Sequence, residues 1–314
     1  MIQFLSALFK SNLPIYIAGH ITPDQDSICS SMSLALFLNS CNKNTKVLLE
    51  NNDKDVLSWK NDYSLIVDKI EEKDYIFIAV DVNEGYRLGN FESYYNNASI
   101  TFNIDHHIDN SLNASYCISD TTSSSTCEII YTLIKTHNIN KLTKDIASYI
   151  YSGMLNDTNG FKRRLSSSTL SIAQELINKG IDYSYIINET LTNRSMYEMK
   201  ALASLINEIE YDNFHYLIID MKKEEYKNLT FNQITKKIAE DLRTIKDIDI
   251  FVILIKYEDY IKAKTMSRTN NDALIIAKLF NGGGHNKEAG FTIKNLDTIE
   301  IISRISDYLK TKLK

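Results

Sequence analysis

His20, Asp24, Asp26, Asp81, the Asp105, His106 and His107 run, and Asp157 are carboxylates and imidazoles of the types that can hold hard divalent cations. The first three share GHITPDQDSICSS, a tight loop between the apolar run IYIAG and a helical pattern. Asp81 closes IFIAVD, Asp105, His106 and His107 close ITFNIDHH, and Asp157 sits in GMLNDTNGF, at the end of TKDIASYIYSGM. Taken singly, each has an ordinary alternative: Asp24 and Asp26 as helix caps, Asp81 and DTNG as turn residues, HH as a chance pair in a loop. Taken together, three strand ends and one helix end deliver carboxylates and imidazoles to one edge of a sheet. Such a set, with no thiolate, suits Mn²⁺ or Mg²⁺ better than zinc. Adjacent histidines on an extended chain point in different directions, so one can ligate a metal while the other reaches a substrate. Two such ions activate a water for attack on phosphorus and stabilise charge on its oxygens.

Short apolar runs alternating with helical patterns must position these residues, which predicts an α/β fold with a mostly parallel sheet flanked by helices in the first half. The expected strands are 15–19, 46–50, 75–80 and 99–104. Helices are expected to begin near Asp26, Ser124, Thr143 and Ser167, the last stopping at Gly180. The loop ends lie at the carboxyl edge of the strands, where open α/β sheets bind ligands. The stretch 188–210 reads as a long helix joining two domains. Beyond it FHYLIID, DIFVILIKYED and YIKAKTMSRT read as strands, with a helical stretch from 231 to 245, so a second, smaller α/β domain is expected. The expected organisation is a metal-binding domain over 1–188, a helical linker over 189–210 and a substrate-binding domain over 211–314, with a cleft between the domains.

Length and composition fit this plan. The 314 residues are 44% hydrophobic and 24% charged, enough for packed cores. The formal net charge of -5 argues against a basic face for long nucleic acid and leaves a small anionic ligand open. Residues 1–188 carry 15 Lys+Arg against 21 Asp+Glu, and residues 189–314 carry 20 against 19, so the acidic excess lies in the half with the candidate cation site. The four cysteines form no CxxC pair, and no apolar stretch is long enough to span a bilayer, which points to a cytoplasmic protein without a membrane partner. Near the C-terminus GGGHNKEAG offers Gly282, Gly283 and Gly284 as a backbone cradle for a phosphate, or merely a flexible turn. His285 beside the run and Arg268 upstream favour anion recognition. The SSSTC stretch at 123–127 reads as a helix cap that could also line the cleft.

The series His-x3-Asp-x-Asp, strand-end Asp, Asp-His-His and Asp-Thr resembles the DHH phosphoesterase superfamily, and GGGHNKEAG resembles the glycine-rich signature of its DHHA1 subfamily. The likeness runs from Gly19 to Gly290 with the motifs in order. It implies that His20, Asp24 and Asp81 hold one ion and that Asp26, Asp81, His106 and Asp157 hold the other, with Asp81 bridging. It also implies that Asp105 orients a histidine, that His107 contacts the reacting phosphate or leaving oxygen, and that Arg268 and His285 bind the other end of the substrate. Gln25 and Cys29 stand where many relatives carry glycine, and Glu288 replaces a small residue of the usual GGGHxxAAG.

Within the superfamily the chain is similar to the nanoRNase/pAp phosphatases, which implies a Mn²⁺-dependent hydrolase, with Mg²⁺ or Co²⁺ as alternatives. The implied substrates are short RNA or DNA oligonucleotides, dinucleotides or the 3'-phosphate of pAp. Hydrolysis of cyclic or linear dinucleotide messengers, single-strand exonuclease activity and Mn-dependent pyrophosphatase activity compete with it. A catalytically silent nucleotide-binding regulator is the reading from another class. The oligomeric state stays open, a homodimer included.

Overall fold

A computed structural model describes residues 1–50, 64–192, 195–223, 226, 238, 241–242, 244–269 and 272–312, with Tyr197, Glu198 and His285 described by backbone alone. The chain divides into two compact units, Met1–Asn193 and Arg194–Lys314. In the first, α1 (Ile2–Lys10), β1 (Ile15–Ala18), α2 (Gln25–Ser40), β2 (Thr45–Leu48), β3 (Ile66–Val67), β4 (Ile76–Val80), α3 (Glu92–Asn97), β5 (Ile100–Asp105) and β6 (Tyr116–Ser119) are followed by four helices. These are α4 (Thr126–Asn138), α5 (Lys144–Asp157), α6 (Thr169–Ile177) and α7 (Tyr183–Ile187).

Six parallel strands form one sheet in the order β3-β2-β1-β4-β5-β6. The chain winds outward from β1 in one direction, then crosses back to place β4 on its other side. The loops leaving β1 and β4 therefore diverge, and open α/β sheets bind ligands at such a reversal. Every residue of β1 and β4 is buried, as expected for strands covered on both faces. Ile15, Ile17, Ile76 and Ile78 pack with α1, α2, α4 and α5, while Tyr16, Ala18, Phe77 and Ala79 pack with Leu88, Phe91 and Tyr95 on the opposite face. Helix α2 is buried from Gln25 to Ala35 although that stretch holds four serines, Ser27, Ser30, Ser31 and Ser33. Three of their hydroxyls donate back to carbonyls one turn earlier, Ser30 to Ser27, Ser31 to Ser27 and Ser33 to Ser30, so burial leaves these small polar groups satisfied.

The second unit comprises α8 (Met196–Asn207), β7 (Glu210–Tyr211), β8 (His215–Asp220), β9 (Ile250–Lys256), β10 (Ile261–Ser267), α9 (Asp272–Lys278), β11 (Gly283–His285), β12 (Glu288–Ile293) and α10 (Thr298–Lys312). Among the described residues its six strands are ordered β11-β12-β10-β9-β8-β7, antiparallel except for β8 beside β9. Ala201, Leu202 and Leu205 of α8 lie in one of its cores with Phe251, Ile253 and Ile255. The segment 188–210, expected as one long connector, is a π-helical turn over Asn188–Thr192 in the first unit and α8 in the second. Most of the helix expected over 231–245 lies outside the described residues.

Candidate metal centre

The first unit gathers the six predicted residues at the β1/β4 reversal. Their donor atoms form overlapping groups, His20 with Asp24 and Asp81, Asp26 with His106 and Asp157, and Asp81 with His106 and His107; within each group they lie within 4.8 Å of one another. Asp81 is common to two of the groups. His20 Nε2 is 3.5 Å from Asp81 Oδ2 and 4.0 Å from Asp24 Oδ1. His106 Nε2 is 3.7 Å from Asp81 Oδ1 and 3.2 Å from Asp157 Oδ2.

Local structure explains how each donor is presented. Asp24 caps α2, its Oδ1 accepting the N–H groups of Asp26 at 3.0 Å and Ser27 at 3.2 Å, so the capping alternative holds alongside the clustering. His20 Nδ1 must donate to the Ile21 carbonyl, which only accepts, at 2.8 Å, and that leaves Nε2 for the cluster. Asp81 follows β4 with φ of 60°, a left-handed conformation uncommon outside Gly, Asn and Asp. A non-glycine residue held there stores about 1–3 kcal/mol of strain that the surroundings must offset. Asp105 and His107 are paired at 2.7 Å between Oδ1 and Nδ1, and the other carboxylate oxygen accepts from Asn110 Nδ2 at 2.9 Å.

The electrostatics are those of an anionic pocket. Five carboxylates, of which Asp26, Asp81 and Asp105 are buried, face three imidazoles. Burial opposes charge on His20 and His106, but the Asp81 and Asp24 carboxylates push His20 up to about 9, and Asp157, Asp81 and Asp26 push His106 up to about 10. Burial, reinforced by Asp157 and Asp81, drives the Asp26 carboxyl well above the usual range. Burial likewise works against ionised Asp81, yet His20, His106 and His107 outweigh it and hold that carboxyl below the usual range. Burial and the charge of Asp26 also push up the Cys127 thiol, so it stays protonated and offers no soft thiolate ligand. Donor set and charge balance fit hard divalent cations.

Several contributors carry no signature in the sequence. The backbone N–H groups of Thr126 and Cys127 donate to Asp26, and the Thr126 hydroxyl donates to Asp81. Asn156 bridges Asp24 and Asp157 through Nδ2, at 3.2 and 3.1 Å. The capping pattern of SSSTC marked the start of α4, where Ser125 is the N-cap, but not the direction of its amides. Gln25, one of the departures from the usual pattern, ties α2 to α5 by donating to Ser152 Oγ at 2.9 Å.

In the second unit Arg268 follows β10, and its Nη1 donates to the carbonyls of Ile245 and Lys246 at 3.3 and 2.6 Å. The glycine run leads into a β-hairpin, with Gly283, Gly284 and His285 opposite Gly290, Ala289 and Glu288. Glu288 is ion-paired with Lys264 at 2.6 Å, so the acid that departs from the usual signature has a matched charge. The three glycines are not equivalent. A Cβ on Gly282 would lie 2.2 Å from the Gly290 carbonyl oxygen, and one on Gly284, at φ of +134°, 2.6 Å from Ala289 Cα; at Gly283 it would meet nothing within 4 Å. Gly282→Ala and Gly284→Ala are each expected to destabilise this unit by about 1–3 kcal/mol, and Gly283→Ala to stay within about 0.5 kcal/mol. Thermal melts followed by circular dichroism check this, and an equal loss at all three positions contradicts it.

Comparison with known proteins adds lineage to this geometry. Residues 14–154 match the DHH family N-terminal domain and residues 195–311 match the DHHA1 domain. The chain is 26% identical to the bifunctional oligoribonuclease and PAP phosphatase NrnA of Thermus thermophilus, over 96% of this chain and 90% of that protein. It is 25% identical to the protein of the same name from Bacillus subtilis, over 92% of each. It is also 22% identical to the cyclic-di-AMP phosphodiesterase PdeA of Listeria monocytogenes, over 98% of this chain and 50% of that protein. Among solved structures, an exopolyphosphatase-related protein from Bacteroides fragilis shares the fold with a TM-score of 0.88 at 22% identity, covering 99% of this chain and 97% of that one.

Proposed function

Because the chain belongs to the DHH/DHHA1 phosphoesterases, we propose that it hydrolyses short oligonucleotides, dinucleotides foremost, and the 3'-phosphate of pAp in a reaction dependent on two divalent cations. The observation that carries this reading is the gathering of His20, Asp24, Asp26, Asp81, His106 and Asp157 in overlapping donor groups, within a chain similar over nearly its whole length to proteins named as oligoribonuclease and PAP phosphatase. Under it, His20, Asp24 and Asp81 hold one cation, and Asp26, Asp81, His106 and Asp157 hold the second. Mn²⁺ is the ion proposed, with Mg²⁺ or Co²⁺ as substitutes. Bound there, the cations supply Lewis acidity and an activated water for attack on phosphorus.

The remaining steps fall to the chain itself. Asp105, pinned by Asn110, holds the His107 ring through Nδ1, which leaves Nε2 for the scissile group. In the proposed mechanism protonated His107 hands its proton to the departing oxygen. Arg268, the amides around Gly283 and His285 bind the far phosphate or sugar of the substrate. The acidic balance of the first unit favours short substrates over long strands, which profit from a basic track. Among the described residues no helix is long and apolar enough to cross a membrane. The four cysteines are unpaired, which supports a reducing, cytoplasmic setting.

A Mn²⁺-supported assay across pApA, pGpG, longer oligomers, cyclic dinucleotides, pAp and pyrophosphate tests the assignment. Fast turnover of dinucleotides and pAp is expected. Phosphate release from pyrophosphate alone reverses it, and tight nucleotide binding without turnover turns the chain into a regulator. Arg268→Ala is expected to raise KM on nucleotides about 10-fold or more, the loss of one charge-assisted contact, with metal content unchanged. A variant that loses its metal refutes the division of labour between the units.

A further inference from the structure

Asp26 and Asp81 reach the cluster from unrelated places, the first turn of α2 and the residue after β4, so neither backbone fixes the gap between their carboxylates. Thr126 spans that gap. Its backbone N–H donates to Asp26 Oδ2 at 2.8 Å and its hydroxyl donates to Asp81 Oδ1 at 3.1 Å, while the next amide, Cys127 N–H, donates to Asp26 Oδ1 at 3.1 Å. Thr126 is fully buried, so no solvent competes for that hydroxyl. It opens α4, a helix of 13 residues whose N-terminal end favours the negative charge of Asp26.

The support itself is held in place. Ser125 Oγ accepts the Glu128 N–H at 3.2 Å, and the Glu128 carboxylate accepts from Ser124 N, Ser168 Oγ at 2.7 Å, Thr169 Oγ1 at 3.0 Å and Ser166 Oγ. The start of α4 is thereby tied to the approach of α6. From the other side α5 presents Gly153, where a Cβ would lie 2.3 Å from Cys127 Sγ and 2.8 Å from Asp26 Oδ1. At Gly153, α5 therefore packs directly against Asp26 and the first turn of α4.

From this we infer that Thr126 is a positioning residue for the metal centre: one residue that, through its backbone N–H and its hydroxyl, sets Asp26 and Asp81 at a fixed separation and so tunes the affinity for the cation pair. The inference rests on the two-cation reading above. Thr126→Val keeps the shape and removes only the donor to Asp81. In wild-type protein, titration calorimetry and Mn²⁺ electron paramagnetic resonance are expected to find two Mn²⁺ per chain. Thr126→Val is expected to bind at least one of them about 10- to 100-fold more weakly. At saturating Mn²⁺ its kcat is expected to fall with KM for pApA changed less than twofold. Thr126→Ser, which restores the hydroxyl, is expected to return Mn²⁺ affinity to within threefold of wild type. Should valine fail to fold, Thr126→Ala against Thr126→Ser carries the same comparison.

A valine or alanine variant that binds Mn²⁺ as wild type does, or a serine variant as weak as valine, overturns the role of Thr126 and leaves the two-cation reading standing. Wild-type protein that takes up no divalent cation overturns both.

Discussion

Asp81→Asn is expected to lower kcat on dinucleotides by about 10³-fold or more, equivalent to about 4 kcal/mol of transition-state stabilisation. Asp81 stands among His20, His106 and His107 and belongs to two of the three donor groups. Asparagine matches its shape and tolerates the left-handed backbone at φ of 60°, so the fold survives the change. What goes is the negative charge and one oxygen, replaced by an amide that donates where a cation needs an acceptor. Steady-state kinetics in saturating Mn²⁺, with a melting curve to verify folding, decide the matter. A variant that keeps more than a tenth of wild-type kcat would refute the bridging role.

The second large effect concerns stability. Mn²⁺ at about 100 times its dissociation constant is expected to stabilise the protein by about 2.7 kcal/mol for each cation bound, so that each raises the Tm of the first unit by about 5–10 °C. The cause is the buried excess of carboxylates over imidazoles, which a cation pair neutralises. The effect depends on pH with a definite sign. In chelated protein His20 and His106, raised to about 9 and about 10, are protonated at neutral pH and paired with Asp81 and Asp157. Their contribution to the chelated fold is complete below the unfolded value of about 6.5 and fades as pH rises through 9 and 10. Metal uptake must expel those protons, so affinity rises with pH. The gap between the Tm of Mn²⁺-loaded and chelated protein is therefore expected to widen between pH 6.5 and 8.5. Differential scanning fluorimetry at a series of pH values measures it, and a constant or shrinking gap contradicts the argument.

The strands that deliver the donors were legible in sequence because each is a bounded apolar run: the runs read at 75–80 and 99–104 are β4 and β5 within a residue at each end. Helix α5 could be read from its threonine cap, and the stop of α6 from Gly180, which has φ of +77°. Less could be seen where sequence pattern and environment part company. Tyr116–Ser119 is a mostly exposed edge strand of four residues, a short run set between polar stretches. Gly283–His285 pairs as a strand although glycine is a poor strand former, because close approach to Ala289 and Gly290 is what the hairpin requires. The amides that hold Asp26 were invisible for a different reason. A backbone N–H belongs to every residue but proline, so its role depends on where α4 points and not on which residue carries it.

The donors of the first unit run from His20 to Asp157, across β1, β4, β5 and the last turn of α5. Because such distant pieces meet only when the sheet has closed and α5 has docked, a nascent chain has no seat for the full cation pair until Asp157 is in place. Under the proposed function a cation pair would thus act as a latch on a finished fold rather than as a template for an unfinished one. Truncations ending before Asp157 are expected to bind at most one Mn²⁺ per chain, read by titration calorimetry.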